Sequence, residues 1–105
     1  MNIQSPRLRV RSRKKRCYEL SFRGQSKAPK WTLVHGTIIP PDGPPDFRYG
    51  HAWLEFDGQA YDAVLDAFFP VDVYYRERCV TATKRFTAIE AAERAATTNM
   101  YGPWD

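Results

Sequence analysis

Two periods of apolar residues organise this chain. Trp31 to Ile39 is a run of β-branched and apolar positions that predicts a strand. It is closed by Pro40-Pro41-Asp42-Gly43-Pro44-Pro45-Asp46, whose four prolines cannot continue a ladder and read as a stiff exposed loop. His51 to Phe56 and Gln59 to Val64 then flank Asp57-Gly58. Asp-Gly between alternating runs predicts a tight hairpin, because a type I′ turn needs positive φ at both central residues. Pro70 can open a short helix through Tyr74 and Tyr75, and Cys79 to Phe86 reads as a strand. Thr87-Ala88-Ile89-Glu90 is a capping box that opens an alanine-rich helix to about Asn99. Near the start, Tyr18, Leu20 and Phe22 alternate as in a strand, yet Tyr18 and Phe22 are also i,i+4 neighbours on a helix. With Gly24 where a helix would end, a short helix over 15–23 is the reading taken.

These elements predict an α+β domain. A short N-terminal helix and a C-terminal helix over 88–99 pack on an antiparallel sheet of about four strands near 31–39, 50–56, 59–64 and 79–86. The chain of 105 residues suits one domain over 15–105, and its 14% aromatic content suits a real core.

Charge divides the chain unevenly. Arg7, Arg9, Arg11, Arg13, Lys14, Lys15 and Arg16 precede Cys17 with no acid among them. From 17 onward nine Lys or Arg face twelve Asp or Glu, so the body is mildly acidic. Residues 1–14 therefore read as a basic, flexible arm able to contact a polyanion through phosphate neutralisation. The arm has no aromatic ring for base stacking, so such contact is expected to be blind to sequence. Leu8 and Val10 alternate with the arginines, which leaves an edge strand as the other reading. No run approaches the length of a membrane span, and no apolar stretch follows the basic start as in an export signal. Two cysteines at 17 and 79 make no disulfide framework, and no Cys/His spacing suits a metal. A reducing cytoplasmic setting, without membrane, metal or cofactor, is the expectation.

Candidate chemistry begins at the hairpin. A two-residue turn pairs Trp53 with Asp62 and His51 with Val64. His51, Trp53, Asp62 and Val64 then share one face, and Leu54, Phe56 and Tyr61 the other. His51 and Asp62 become diagonal neighbours, roughly 5–8 Å apart at the backbone. A carboxylate at that distance can fix an imidazole's tautomer and stabilise its charged form. A structural reading stays open, with His51 a polar strand-start residue and Asp62 solvated. Cys17 follows Lys15 and Arg16 and heads the expected helix, and both features favour a thiolate. The alternative is a small buried hydrophobe, which is also the reading for Cys79.

The order is a Cys heading a short helix, then Leu33-Val34-His35-Gly36, then Gly50-His51-Ala52-Trp53-Leu54-Glu55, then Tyr61-Asp62. It resembles the compact papain-like and transglutaminase-like cysteine proteins of bacteria and phages. The closing Tyr101-Gly102-Pro103-Trp104 is similar to the ends of small phage proteins of this kind. The resemblance implies Cys17 as nucleophile, His51 as general base and Asp62 as the residue that orients it. The implied activity is a cysteine hydrolase or acyl transferase acting on an amide or thioester, peptides included. No upstream Gln or Asn outside the arm is available for the oxyanion, so backbone N–H groups would have to serve. Trp31, Tyr49 and Trp53 are candidates to wall a substrate pocket, with simple core as the alternative. His35 is either a hydrogen-bonded core residue or a substrate contact. The loop over 40–48 is either a lid or a rigid connection. The competing class is a non-enzymatic binding protein that uses the arm or the aromatic face.

Overall fold

The computed structural model describes residues 4–40, 43–44 and 46–104. Helix α1 (Cys17–Lys27) leads into β1 (Thr32–Ile38), β2 (Tyr49–Phe56), β3 (Gln59–Asp62) and β4 (Ala67–Pro70). Helix α2 (Val71–Arg78), β5 (Thr81–Phe86) and α3 (Ala88–Thr98) follow. The strands form one antiparallel sheet in the order β4-β3-β2-β1-β5, so the fold is α+β with five strands rather than four. The added strand, Ala67-Phe68-Phe69-Pro70, is short and ends in proline. Such a segment is hard to read as a strand, but at a sheet edge its missing N–H costs no ladder bond.

The hairpin forms as its turn dictates. Asp57 and Gly58 take φ of 50° and 78°, and Leu54, Glu55 and Phe56 pair with Tyr61, Ala60 and Gln59. Strand β3 ends at Asp62 rather than 64. There the Asp62 carboxylate accepts from the backbone N–H groups of Val64 and Leu65 at 3.0 and 3.1 Å, which turns the chain. Strand β2 runs on past this point, and its first residues lie beyond the end of β3.

Both faces of the sheet are covered. Leu20 of α1 and Ala91 of α3 pack with Leu33, Ala52, Leu54 and Tyr61 on one face. Tyr74 of α2 packs with Val34, Ile38, Trp53 and Ala60 on the other. Helix α1 does not stop at Gly24 but continues to Lys27. A Cβ at position 24 would lie 2.7 Å from the Pro6 carbonyl oxygen and 3.1 Å from Leu54 Cδ1. Glycine here permits close approach of helix, strand and N-terminal segment; it is not a cap. The Thr87–Glu90 capping box closes in both directions at the start of α3. Cys79 is neither buried nor the start of a strand. It is exposed and left-handed, φ 51°, and ends α2.

Over 4–14, the segment expected to be a free arm lies against the body without regular structure. Pro6 is buried, and Leu8 and Val10 pack on the α1-side core. Arg13 donates to the Ala63 carbonyl at 2.8 Å, and Arg7 pairs with Asp66 at 2.9 Å. The apolar residues between the arginines supply this adhesion. Residues 1–3 lie outside the described residues, as do Pro41, Asp42 and Pro45 of the expected lid. Among the described residues no helix is long and apolar enough to cross a membrane.

Candidate active site

Cys17 is the first residue of α1 and is partly buried. Lys15, at φ 63°, makes the left-handed turn into the helix. The N-cap residue, Arg16, gives no side-chain cap to the first-turn N–H groups. The Arg16 guanidinium is instead held by Glu19 at 2.8 Å, which also receives Arg23 at 3.1 Å. Arg13, anchored at Ala63 just past the end of β3, fixes the approach to Cys17 beside the first residues of β2.

His51 stands in that stretch of β2. Its Nε2 lies 2.9 Å from Asp62 Oδ2, the diagonal contact that the hairpin register predicts. Both side chains are buried. The same carboxylate oxygen accepts from the Tyr74 hydroxyl at 2.7 Å, and Oδ1 takes the two backbone N–H groups already named. Burial opposes ionisation of Asp62. The bonds from His51, Tyr74 and Leu65 outweigh it and hold the carboxyl below its usual range. Burial likewise opposes a charge on His51. Asp62 on one side and the neighbouring Cys17 on the other outweigh it and raise the imidazole to about 9. With Nε2 taken by Asp62, Nδ1 is the nitrogen left for the thiol. Asp62 bonds Nε2 at 2.9 Å, and Cys17 acts on the ring both through a side-chain hydrogen bond and through charge. The Trp53 ring stacks on His51 at 6.1 Å, with 26° between the planes.

Of the expected pocket walls, only Tyr49 is at this site and open to solvent. Its ring meets His51 edge-on at 6.1 Å and it is 39% exposed. Burial, then Cys17 and Asp62, raise its hydroxyl above the ordinary range. Trp53 is wholly buried and donates to Glu55 Oε2 at 2.8 Å, so it supports His51 from behind and cannot touch substrate. Trp31 is buried beyond the far end of α1, against Phe56 and Phe68. His35 is boxed by Tyr18, Phe86 and Trp104, with no hydrogen-bond partner for either ring nitrogen. It is thus neither a hydrogen-bonded core residue nor a substrate contact. Burial, then Lys84, push it down to about 4.

Two tyrosines at the site escape a sequence reading of function. Tyr74 reaches Asp62 from α2, across the sheet, and nothing local in the sequence marks that contact. Tyr18 follows Cys17, and its hydroxyl lies against Gly50, where a Cβ would come within 2.5 Å. That hydroxyl bonds to no described residue. Burial, then Cys17, raise it to about 12, so it stays a donor. A groove of about 600 Å³ opens beside Tyr18, between Lys15 and Arg16 on one wall and Met100 and Tyr101 on the other. No cluster of His, Cys, Asp or Glu among the described residues could hold a metal ion.

Comparison of the chain with models of known families, with curated proteins and with solved structures gives no match. The reading of function therefore rests on this geometry.

Proposed function

We propose that this protein is a small cysteine hydrolase or acyl transferase of papain-like or transglutaminase-like type, acting on an amide or thioester. The observation that carries the reading is the His51–Asp62 contact, which orients a charged imidazole toward a thiol at a helix N-terminus. The proton of the Cys17 thiol already rests on His51 Nδ1 in a thiolate–imidazolium pair, and the thiolate sulfur attacks the carbonyl carbon to form a C–S bond. Negative charge gathers on the carbonyl oxygen. The backbone N–H of Cys17 and the Tyr18 hydroxyl are the donors suited to meet it. His51 returns the proton to the leaving nitrogen or sulfur as its bond to carbon breaks. Water, or an acceptor amine or thiol, then attacks the acyl-thioester, gives its proton to His51 and restores Cys17. Two free thiols fit a reducing, cytoplasmic setting.

Alkylation resolved by peptide tests this reading, with Cys79 as the internal control. At pH 6, Cys17 is expected to react with iodoacetamide faster than Cys79, although Cys79 is the more exposed. His51→Ala is expected to remove the advantage. A Cys17 slower than Cys79 in the folded protein overturns the reading.

A second reading, a non-enzymatic protein that contacts a polyanion, is favoured by Arg9, Arg11 and Lys14. All three are exposed and pair with no described residue. Binding of this kind should fall steeply with salt and survive Cys17→Ala.

A further inference from the structure

Helix α2 delivers a second side chain toward the site. Its last residue, Arg78, is half-buried, with its guanidinium carbon 5.9 Å from the centre of the Tyr74 ring. The Arg78 carbonyl accepts from Ile39 N–H at 2.9 Å, and Arg48 donates to the next carbonyl, that of Cys79, at 2.6 Å. These bonds tie the end of α2 to the end of β1 and the start of β2, where Tyr49 and His51 stand. Arg78 acts electrostatically on the hydroxyls of both Tyr49 and Tyr74, and Cys17 and Asp62 act on that of Tyr49. Ile39, bonded to the Arg78 carbonyl, follows Ile38, which pairs with Tyr49 in the sheet, so the end of α2 stands beside Tyr49.

The charges around Arg78 do not cancel. Among the described residues the Arg78 guanidinium has no hydrogen-bond or ion-pair partner. Asp62 is consumed by His51 and Tyr74, and Glu19 by Arg16 and Arg23. Arg48 reaches only neutral oxygens, of Cys79 and Thr81. Among the described residues Lys15, just before α1, and Asp46, in the loop before β2, form no ion pair. The α2 dipole and the Tyr74 ring favour a cation at position 78 but supply no acceptor. A half-buried guanidinium with free donors is suited to a carboxylate, which it can grip with two parallel bonds.

Resting on the proposed thiol chemistry, we propose that the site takes acyl donors that carry a carboxylate, and that Arg78 reads it. Arg78 is then a specificity residue, with Tyr49 as the wall along which the anionic group lies. A single guanidinium matches the single charge of a carboxylate. A dianionic phosphate calls for a second cation.

Two reagents of nearly equal size test this without knowledge of the substrate. Iodoacetate carries a carboxylate beside the reacting carbon, and iodoacetamide is its neutral counterpart. Rate constants are measured at Cys17 by peptide mass in the whole chain at low salt, with glutathione as the free-thiol reference. The ratio of iodoacetate to iodoacetamide rates is expected to exceed the reference by about fivefold or more, given one close cation. Arg78→Gln should bring the ratio down to the reference while the iodoacetamide rate stays within about twofold. Arg78→Lys should keep part of the preference, and Lys15→Gln should change it less than Arg78→Gln. A wild-type ratio equal to the reference, or one unchanged in a folded Arg78→Gln chain, overturns the assignment to Arg78. If iodoacetamide itself fails to favour Cys17 over Cys79, the thiol chemistry fails first, and the carboxylate reading with it.

Discussion

His35 and His51 stand on neighbouring strands, and each is 5% exposed. One is held down to about 4 and the other is raised to about 9, from the same ordinary value of 6.5. Burial pushes both imidazoles toward neutrality. What differs is the company. His35 sees the rings of Tyr18, Phe86 and Trp104 and the charge of Lys84, its partner across the β1–β5 ladder. His51 sees Asp62, itself held by Tyr74 and two backbone N–H groups, and Cys17. Burial alone does not make a site. A buried base becomes chemically useful when a fixed counter-charge offsets its desolvation.

The largest effects should follow from removing members of the charged set. Cys17→Ala should abolish turnover, a loss of at least about a thousandfold, with the fold intact by circular dichroism. Asp62→Asn should cut turnover about a hundredfold or more, since the amide can favour the wrong tautomer and carries no charge. It should also change stability against pH. The folded His51 value lies above the unfolded one, so its contribution is whole below about pH 6.5 and is lost as pH rises through about 9. Denaturant melts of the wild type should weaken across that alkaline window, and those of Asp62→Asn should stay flatter.

Tyr18 links the two histidines, since its ring lies edge-on to His35 at 4.9 Å and its hydroxyl reaches Gly50. Tyr18→Phe should leave Cys17 alkylation unchanged, because that reaction builds no oxyanion. Turnover of an amide or thioester should fall about ten- to a hundredfold. Equal turnover in the two chains would remove Tyr18 from the oxyanion site.

The smallest effect belongs to His35. No hydrogen bond is lost in His35→Leu, so stability at pH 7 should move by no more than about 1 kcal/mol, with turnover unchanged. The acid side should differ. The folded His35 value lies below the unfolded one, so wild-type stability is whole above about pH 6.5 and is lost as pH falls toward about 4. His35→Leu should flatten that wing alone. Urea melts between pH 4 and 7 measure it.

What the sequence could tell of this contrast depended on how local each contact was. The His51–Asp62 pair was readable because Asp57-Gly58 fixes the register of one hairpin, and register fixes which side chains meet. Tyr74 was not readable, since it arrives from a helix across the sheet. Trp53 looked like a pocket wall because alternation gives a residue's face but not what covers that face. Here α2 covers it. His35 shares its face with Leu33, and sequence gave no sign that both ring nitrogens would be left unpartnered. The basic segment looked free because its charges dominate composition, while Pro6, Leu8 and Val10 among them hold it to the core. Strand β4 was lost to its proline and its length.

The most direct test of the account is the titration of the two imidazoles by nitrogen-15 NMR, in the wild-type chain from pH 4 to 10. His51 should be doubly protonated at pH 7 and lose its proton only near 9, while His35 should be neutral at pH 7 and gain a proton only well below 6.5. Two histidines titrating together near 6.5, or a His51 already neutral at pH 7, would contradict it.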